Sequence, residues 1–462
     1  MFLPQIYIDR RKILKNQIQS GVILFLGNNE SPINFADNCY PFRQESSFLY
    51  YWGLDAPGLT AIIDIDNDIE IIFGNDYTTN DMIWMGPQQS LKEQTINCGV
   101  KETQAFDKLK AFINKATLKK REVHYLPQIR PDNILKIEQL TDVPYEVVNQ
   151  GFSKTLVQSV IKQRLIKADI EISQIESAMD ITTQTFSLAM SATMPGKYEF
   201  EVIGRAEGFV FSKNCNPSCP FIFSVRGERL HGHLHHLQMK SGDLVVMDGG
   251  VESNLHYSSD VTRSFPVSGK FTSLQKEIYQ IVLNANKEAI AMLKPGILFR
   301  DAHLHAATII TKGLKDLGLM SGDPAEAVSQ GAHALFFPHG LGHPLGLDIH
   351  DLENLGEDLV GYDQEIRRSD QFGLSNLRFG KRLEENMVQT VEPGIYFIPE
   401  LIHQWQSQNK FKEFINYDKV IPLIGFGGIR IEDDVLISKS GCRIFSDQIP
   451  KSVAEIESAL NH

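Results

Sequence analysis

The sequence predicts an α+β protein of two domains, a small α/β domain over residues 1–155 and a larger domain of helices and antiparallel strands over 156–462. Three observations lead there. A chain of 462 residues exceeds the roughly 250 to 300 residues at which a single hydrophobic core stops growing. Its first third alternates helix-like segments with apolar runs at 21–26 and 59–65, which have the length and composition of buried strands. The remainder shows long helical periodicities around 168–193, 272–293 and 300–317, interleaved with short apolar segments that each contain an acid.

In chain order, the first residues break their apolar character at Pro4 and place Arg10, Arg11 and Lys12 afterwards, the reverse of an export signal. Residues 156–172 have charged, helical spacing and predict a helix that runs on into the second domain, with the boundary near 155. The apolar run 242–250 ends in Asp248-Gly-Gly, a buried strand delivering Asp248 at its end. Asp260 opens Asp-Val-Thr-Arg-Ser-Phe265, whose alternation suits a half-buried strand paired antiparallel to the first, so that a hairpin brings the two acids together. Residues 337–351 space His339, His343 and His350 among glycines that allow close backbone approach. Segments 390–397 and 427–437 each set one glutamate, Glu392 and Glu432, in strand-like apolar surroundings where it needs a partner.

Taken singly, Asp248-Gly-Gly reads equally as a turn, and Glu392-Pro-Gly as a strand end with a type II turn. Taken together, Asp248, Asp260, His343, Glu392 and Glu432 bring four carboxylates and an imidazole to one point, an arrangement that repels itself unless cations lie between. Four negative charges match two divalent ions. Such ions lower the pKa of bound water from about 15.7 towards about 7 and so supply a nucleophile without serine or cysteine. A carboxylate-dominated set is hard and favours manganese or magnesium, with cobalt and zinc competing.

The net charge of −12 and pI near 5.6 argue against nucleic acid or an anionic membrane as partner. No apolar run is long enough to span a bilayer. Five scattered cysteines do not make a disulfide framework, which points to the reducing cytoplasm. Cys215 and Cys219 leave a zinc pair open as a minor alternative.

The set Met247-Asp-Gly-Gly, Ser259-Asp-Val-Thr-Arg-Ser-Phe, His339-Gly-Leu-Gly-His, Val391-Glu-Pro-Gly-Ile-Tyr and Ile429-Arg-Ile-Glu-Asp-Asp resembles the metal-binding signature of the pita-bread peptidases, most nearly the Xaa-Pro peptidases, aminopeptidase P and prolidase. Tyr40-Pro-Phe-Arg-Gln-Glu-Ser-Ser-Phe48 and Trp84-Met-Gly86 are similar to the N-terminal domain of those enzymes. The resemblance implies a curved antiparallel sheet flanked by helices. It also implies a pair of ions, manganese by preference, with Asp248 on one metal, Asp260 and Glu432 bridging, and His343 and Glu392 on the second. Glu392 is implied as proton shuttle, and His339, His350 and His231 as the histidines that bind the scissile peptide and stabilise its oxyanion. Of the run Leu230-His-Gly-His-Leu-His-His236, only His231 has the family's spacing to Asp248.

The implied reaction is hydrolysis of the bond between an N-terminal residue and a following proline, a bond without an N–H that needs a dedicated pocket, in its trans isomer. Arg378, Arg430 and Trp84 are expected on the substrate side, although Trp84 reads equally as core. The intervals 350–392 and 392–432 are longer than in compact bacterial relatives, and the first contains Arg367, Arg368, Arg378, Lys381 and Arg382, which suit either a substrate carboxylate or a solvated loop. Prolidase, and a non-catalytic peptide-binding module on the same fold, stand as alternatives. The family implies a homodimer or homotetramer.

Overall fold

A computed structural model describes residues 1–460. The chain divides into two compact units, residues 1–164 with 354–356, and residues 165–353 with 357–462. The expected boundary at 155 falls at the start of the helix Lys154–Leu165, nearly all of which belongs to the first unit.

The first unit is built on a five-stranded mixed sheet, in the order Glu102–Gln104, Ile69–Phe73, Thr60–Asp64, Val22–Leu26, Val123–Tyr125. The two inner pairings are antiparallel and the two outer ones parallel. Both apolar runs read from the sequence lie at its centre, and the strands they form, Val22–Leu26 and Thr60–Asp64, are buried along their whole length. Ile113 and Ala116 from the helix Leu109–Leu118, and Ile137 and Leu140 from Pro131–Thr141, pack on Val22, Leu24 and Ile62 to form the core.

In the second unit the three long periodicities become helices Asp169–Ala192, Ser273–Met292 and Phe299–Asp316. The last two pack side by side. Its strands pair only antiparallel: Leu244–Gly249 lies between Ile222–Ser224 and Val261–Pro266, Asp433–Ile437 between Val388–Val391 and Cys442–Ile444, and Gly394–Tyr396 beside Gly428–Arg430. The architecture is α+β, as the sequence predicts.

Two local expectations need correction. The continuous helix expected across 156–172 is broken after Leu165 and restarts at Asp169. The backbone N–H of Lys167 donates to Asn386 O instead of to the preceding turn, its buried ammonium meets Asp351 at 2.9 Å, and the Glu171 carboxylate caps the new helix at Ala168 N. The strand Val261–Pro266 is buried on both faces, not on one. Its polar side chains all find partners inside: Thr262 donates to Glu432, Arg263 pairs with Asp433 at 3.0 Å, and Ser264 Oγ donates to Arg430 O.

Candidate metal centre and peptide cavity

Asp248 sits within the strand Leu244–Gly249, opposite Thr262 in register, and Asp260 precedes the partner strand. Glu392 and Glu432 each occupy a break between two strands, after Val391 and before Asp433. His343 reaches the same place because residues 341–343 run alongside Val388–Val391: Thr390 N donates to His343 O at 3.0 Å and Glu392 N to Leu341 O at 2.7 Å. That approach demands glycine. A Cβ at position 342 would lie 2.0 Å from Thr390 O.

These segments bring Asp260, His343 and Glu432 together, with one possible ligand atom from each within 4.8 Å of the others. Asp260 Oδ2 is 3.5 Å and Glu392 Oε1 3.7 Å from His343 Nε2. Asp248 is held by Arg430, whose Nη2 contacts its Oδ2. All five side chains line one cavity of about 490 Å³, together with His231, His339, His350, Arg378 and Arg430. Trp84 belongs to the N-terminal unit, where it is 81% exposed, so the core-packing reading is withdrawn; it is not among the side chains lining this cavity. No third ligand joins Cys215 and Cys219 among the described residues.

Arg430 compensates only part of the negative charge at this centre. Burial raises Asp260 and Glu432 well above the carboxylate range, and each is raised further by the other acids around it. Burial and Asp248 lift Glu392 to about 7 against the pull of Arg430 and Arg378. Asp260 Oδ1 is buried with no hydrogen-bond partner. Buried acids in that condition call for protons or cations, and divalent cations among these oxygen donors and one imidazole satisfy them. Burial also pushes His343 well down and His339 to about 3, the direction that favours the neutral imidazole a metal takes from His343.

Sequence reasoning missed several groups that organise these side chains. Tyr396 OH lies 2.9 Å from both His339 Nε2 and Arg430 Nη1, linking the histidine to the arginine that holds Asp248. Thr262 Oγ1 donates to Glu432 at 2.7 Å and Asp434 accepts from Asp260 N at 2.8 Å. Tyr396 and Asp434 were within the quoted motifs, but nothing in a linear pattern distinguishes a ligand from the residue that orients it. The basic cluster 367–382 also resolves: Arg382 pairs with Glu365, whereas Arg368, fastened to Glu357 and Asp358, and Arg378, which meets Glu353 and Glu357, both line the cavity.

Comparison with known proteins agrees with this reading. Residues 173–439 match the model of metallopeptidase family M24, and residues 7–125 match that of the aminopeptidase P N-terminal domain. The chain is 30% identical to human Xaa-Pro dipeptidase, over 96% of this chain and 89% of that protein. It is also 30% identical to the Xaa-Pro aminopeptidase of Haemophilus influenzae, over 98% and 96% respectively. Among solved structures, zinc-substituted Escherichia coli aminopeptidase P in complex with product superposes with a TM-score of 0.81 at 28% identity, covering 99% of this chain and 98% of that one. The chain is therefore a member of metallopeptidase family M24, a metal-dependent hydrolase with an aminopeptidase P-type domain ahead of its catalytic unit.

Proposed function

We propose that this enzyme is an Xaa-Pro aminopeptidase that releases the N-terminal residue from peptides with proline in second position, loaded with two divalent ions, manganese by preference. The observation carrying the reading is that a single cavity combines the under-compensated acids with three histidines, His231, His339 and His350. Asp248, Asp260, His343, Glu392 and Glu432 would hold the ions, which when bound supply Lewis acidity and an ionised water at neutral pH. Glu392, at the cavity wall 3.7 Å from His343 Nε2, would also accept and return a proton. His350 and His231 would orient the peptide carbonyl and stabilise the charge that develops on it, whereas His339, with both ring nitrogens engaged by Gly340 O at 2.8 Å and Tyr396 OH at 2.9 Å, would position Tyr396 beside them. Arg430 is committed to Asp248, Tyr396 and Thr262, so its role in this reading is to position rather than to bind substrate. Oxygen-rich donors support manganese, and five free cysteines support the cytoplasm. No helix among the described residues is long and apolar enough to cross a membrane. The homodimer or homotetramer, and a role for Trp84 at the substrate, rest on family resemblance.

The second reading, Xaa-Pro dipeptidase, draws on the human relative. Assaying an Xaa-Pro dipeptide beside an Xaa-Pro-Xaa tripeptide with manganese decides between them. Cleavage of the tripeptide is expected, and cleavage of the dipeptide alone would transfer the assignment to the second reading.

A further inference from the structure

Three residues beyond His350, Glu353 turns back towards the cavity, where its Oε2 lies 2.7 Å from His350 Nδ1 and 3.0 Å from Arg378 Nε. Glu357 Oε1 approaches the same arginine nitrogen at 3.5 Å. The contacts of Glu353 Oε2 with His350 and Arg378 are both close approaches between groups of opposite charge tendency and not aligned hydrogen bonds, since neither Glu353 Oε2 nor Arg378 Nε has a hydrogen-bond partner. A recess lined by His343, His350, Glu353, Glu357 and Arg378 encloses the group, and His343, His350, Glu357 and Arg378 also line the main cavity.

The charges here are not arranged as an anion trap. Arg368 is engaged with Glu357 at 2.7 Å and Asp358 at 2.6 Å, donates to Ser375 O at 2.9 Å, and lies over the Tyr362 ring. Two guanidinium groups therefore face three carboxylates, Glu353, Glu357 and Asp358, and Arg378 is already compensated before any substrate arrives. A free dipeptide ending in proline carries a carboxylate close to its scissile bond. To be captured by Arg378, that carboxylate has to come up against Glu353 and Glu357, at a Coulomb cost that solvent reduces but does not abolish at these one-third-exposed side chains. A longer peptide presents a neutral carbonyl at the same point and accepts from the guanidinium without repulsion.

We propose that Glu353 is a positioning and specificity-determining residue: it holds His350 through Nδ1 and, with Glu357, compensates Arg378, so that the site selects peptides extended beyond proline over free Xaa-Pro dipeptides. The proposal rests on the Xaa-Pro peptidase reading above and settles which length of substrate that site takes.

The test measures kcat and KM for one Xaa-Pro dipeptide and the matching Xaa-Pro-Xaa tripeptide with the manganese-loaded full-length protein. Wild type is compared with Glu353→Gln, Glu353→Asp and Glu357→Gln. Removing one negative charge near the incoming carboxylate shifts the dipeptide-to-tripeptide ratio of kcat/KM towards the dipeptide by about tenfold or more in either glutamine variant, through the KM of the dipeptide. Glu353→Gln also lowers kcat on both peptides, because His350 loses its anionic holder, and Glu353→Asp, which keeps the charge, returns the ratio to the wild-type value. Should Glu353→Gln fail to fold, Glu357→Gln still reads the charge effect on its own. An unchanged ratio in the glutamine variants, or a wild type that prefers the dipeptide, overturns this proposal and leaves the peptidase reading standing. A wild type that cleaves neither peptide overturns both.

Discussion

Glu432 and Asp433 are neighbours in the chain and both are buried, yet their carboxyl groups shift in opposite directions. Asp433 faces Arg263 Nη2 at 3.0 Å, Lys451 Nζ at 2.5 Å and Ser446 Oγ at 2.6 Å. Although burial pushes its pKa up, these partners hold it down to about 2. Glu432 points to the other side, towards Asp260, Glu392 and Asp248, and burial and those acids raise it well above its ordinary range. The chain supplies cations to one acid and withholds them from the other. An ion pair completed internally is architecture, whereas a cluster of acids left without internal cations is a place for ions from solution. Successive residues of an extended segment face opposite ways, so a single peptide bond separates the two.

Four experiments test that contrast, from the largest expected effect to the smallest. Glu432→Gln lowers manganese-dependent kcat/KM by about a thousandfold or more, since metal centres supply several kcal/mol of transition-state stabilisation. In thermal melts added manganese is expected to stabilise wild type and not this variant, and a variant that melts and turns over like wild type would remove the metal centre. Asp433→Asn leaves the fully buried Arg263 short of its countercharge and costs about 3 to 5 kcal/mol in urea unfolding. A cost near zero would mean that the two acids do not differ as described.

The pH dependence follows from the same residue. Asp433 is depressed when folded, so it contributes stability that is present above its unfolded pKa of about 3.9 and is lost as the pH falls through about 2. Its share is about 2 kcal/mol. Urea unfolding of wild type between pH 5 and pH 2 includes that loss, and in Asp433→Asn the fall over the same range is smaller by about 2 kcal/mol. The smallest effect is expected for Thr262→Val, which removes the hydroxyl that donates to Glu432 and weakens manganese binding by about tenfold, as read by titration of the metal-free protein. Unaltered affinity would show that Thr262 serves packing alone.

How much was legible beforehand depended on the kind of residue. The long helices and central strands were readable because burial imposes a period on the apolar positions. The five acid and histidine positions stood out because an acid inside an apolar strand is expensive enough to need a reason. Tyr396, Thr262, Asp434 and Glu353 did not stand out, since each is ordinary in its local window and acquires its role only from a side chain far away in sequence or across a turn. The break at 166–168 was invisible for a related reason. Local spacing favours helix there, and it is overruled by Asn386 and Asp351, more than a hundred residues distant.

The amino-acid order by itself determined the two-domain α+β plan and which acids and histidines stand apart from ordinary strand chemistry, because hydrophobic periodicity and the cost of burying charge operate over a few residues. The tertiary structure alone decided which of those charges are compensated. It gives Asp433 to Arg263 and Lys451, Arg378 to Glu353 and Glu357, and leaves Asp260 and Glu432 facing each other. The physical reason is that Coulomb interaction depends on distance in space, and pairs brought within a few ångströms by folding need have no proximity along the chain.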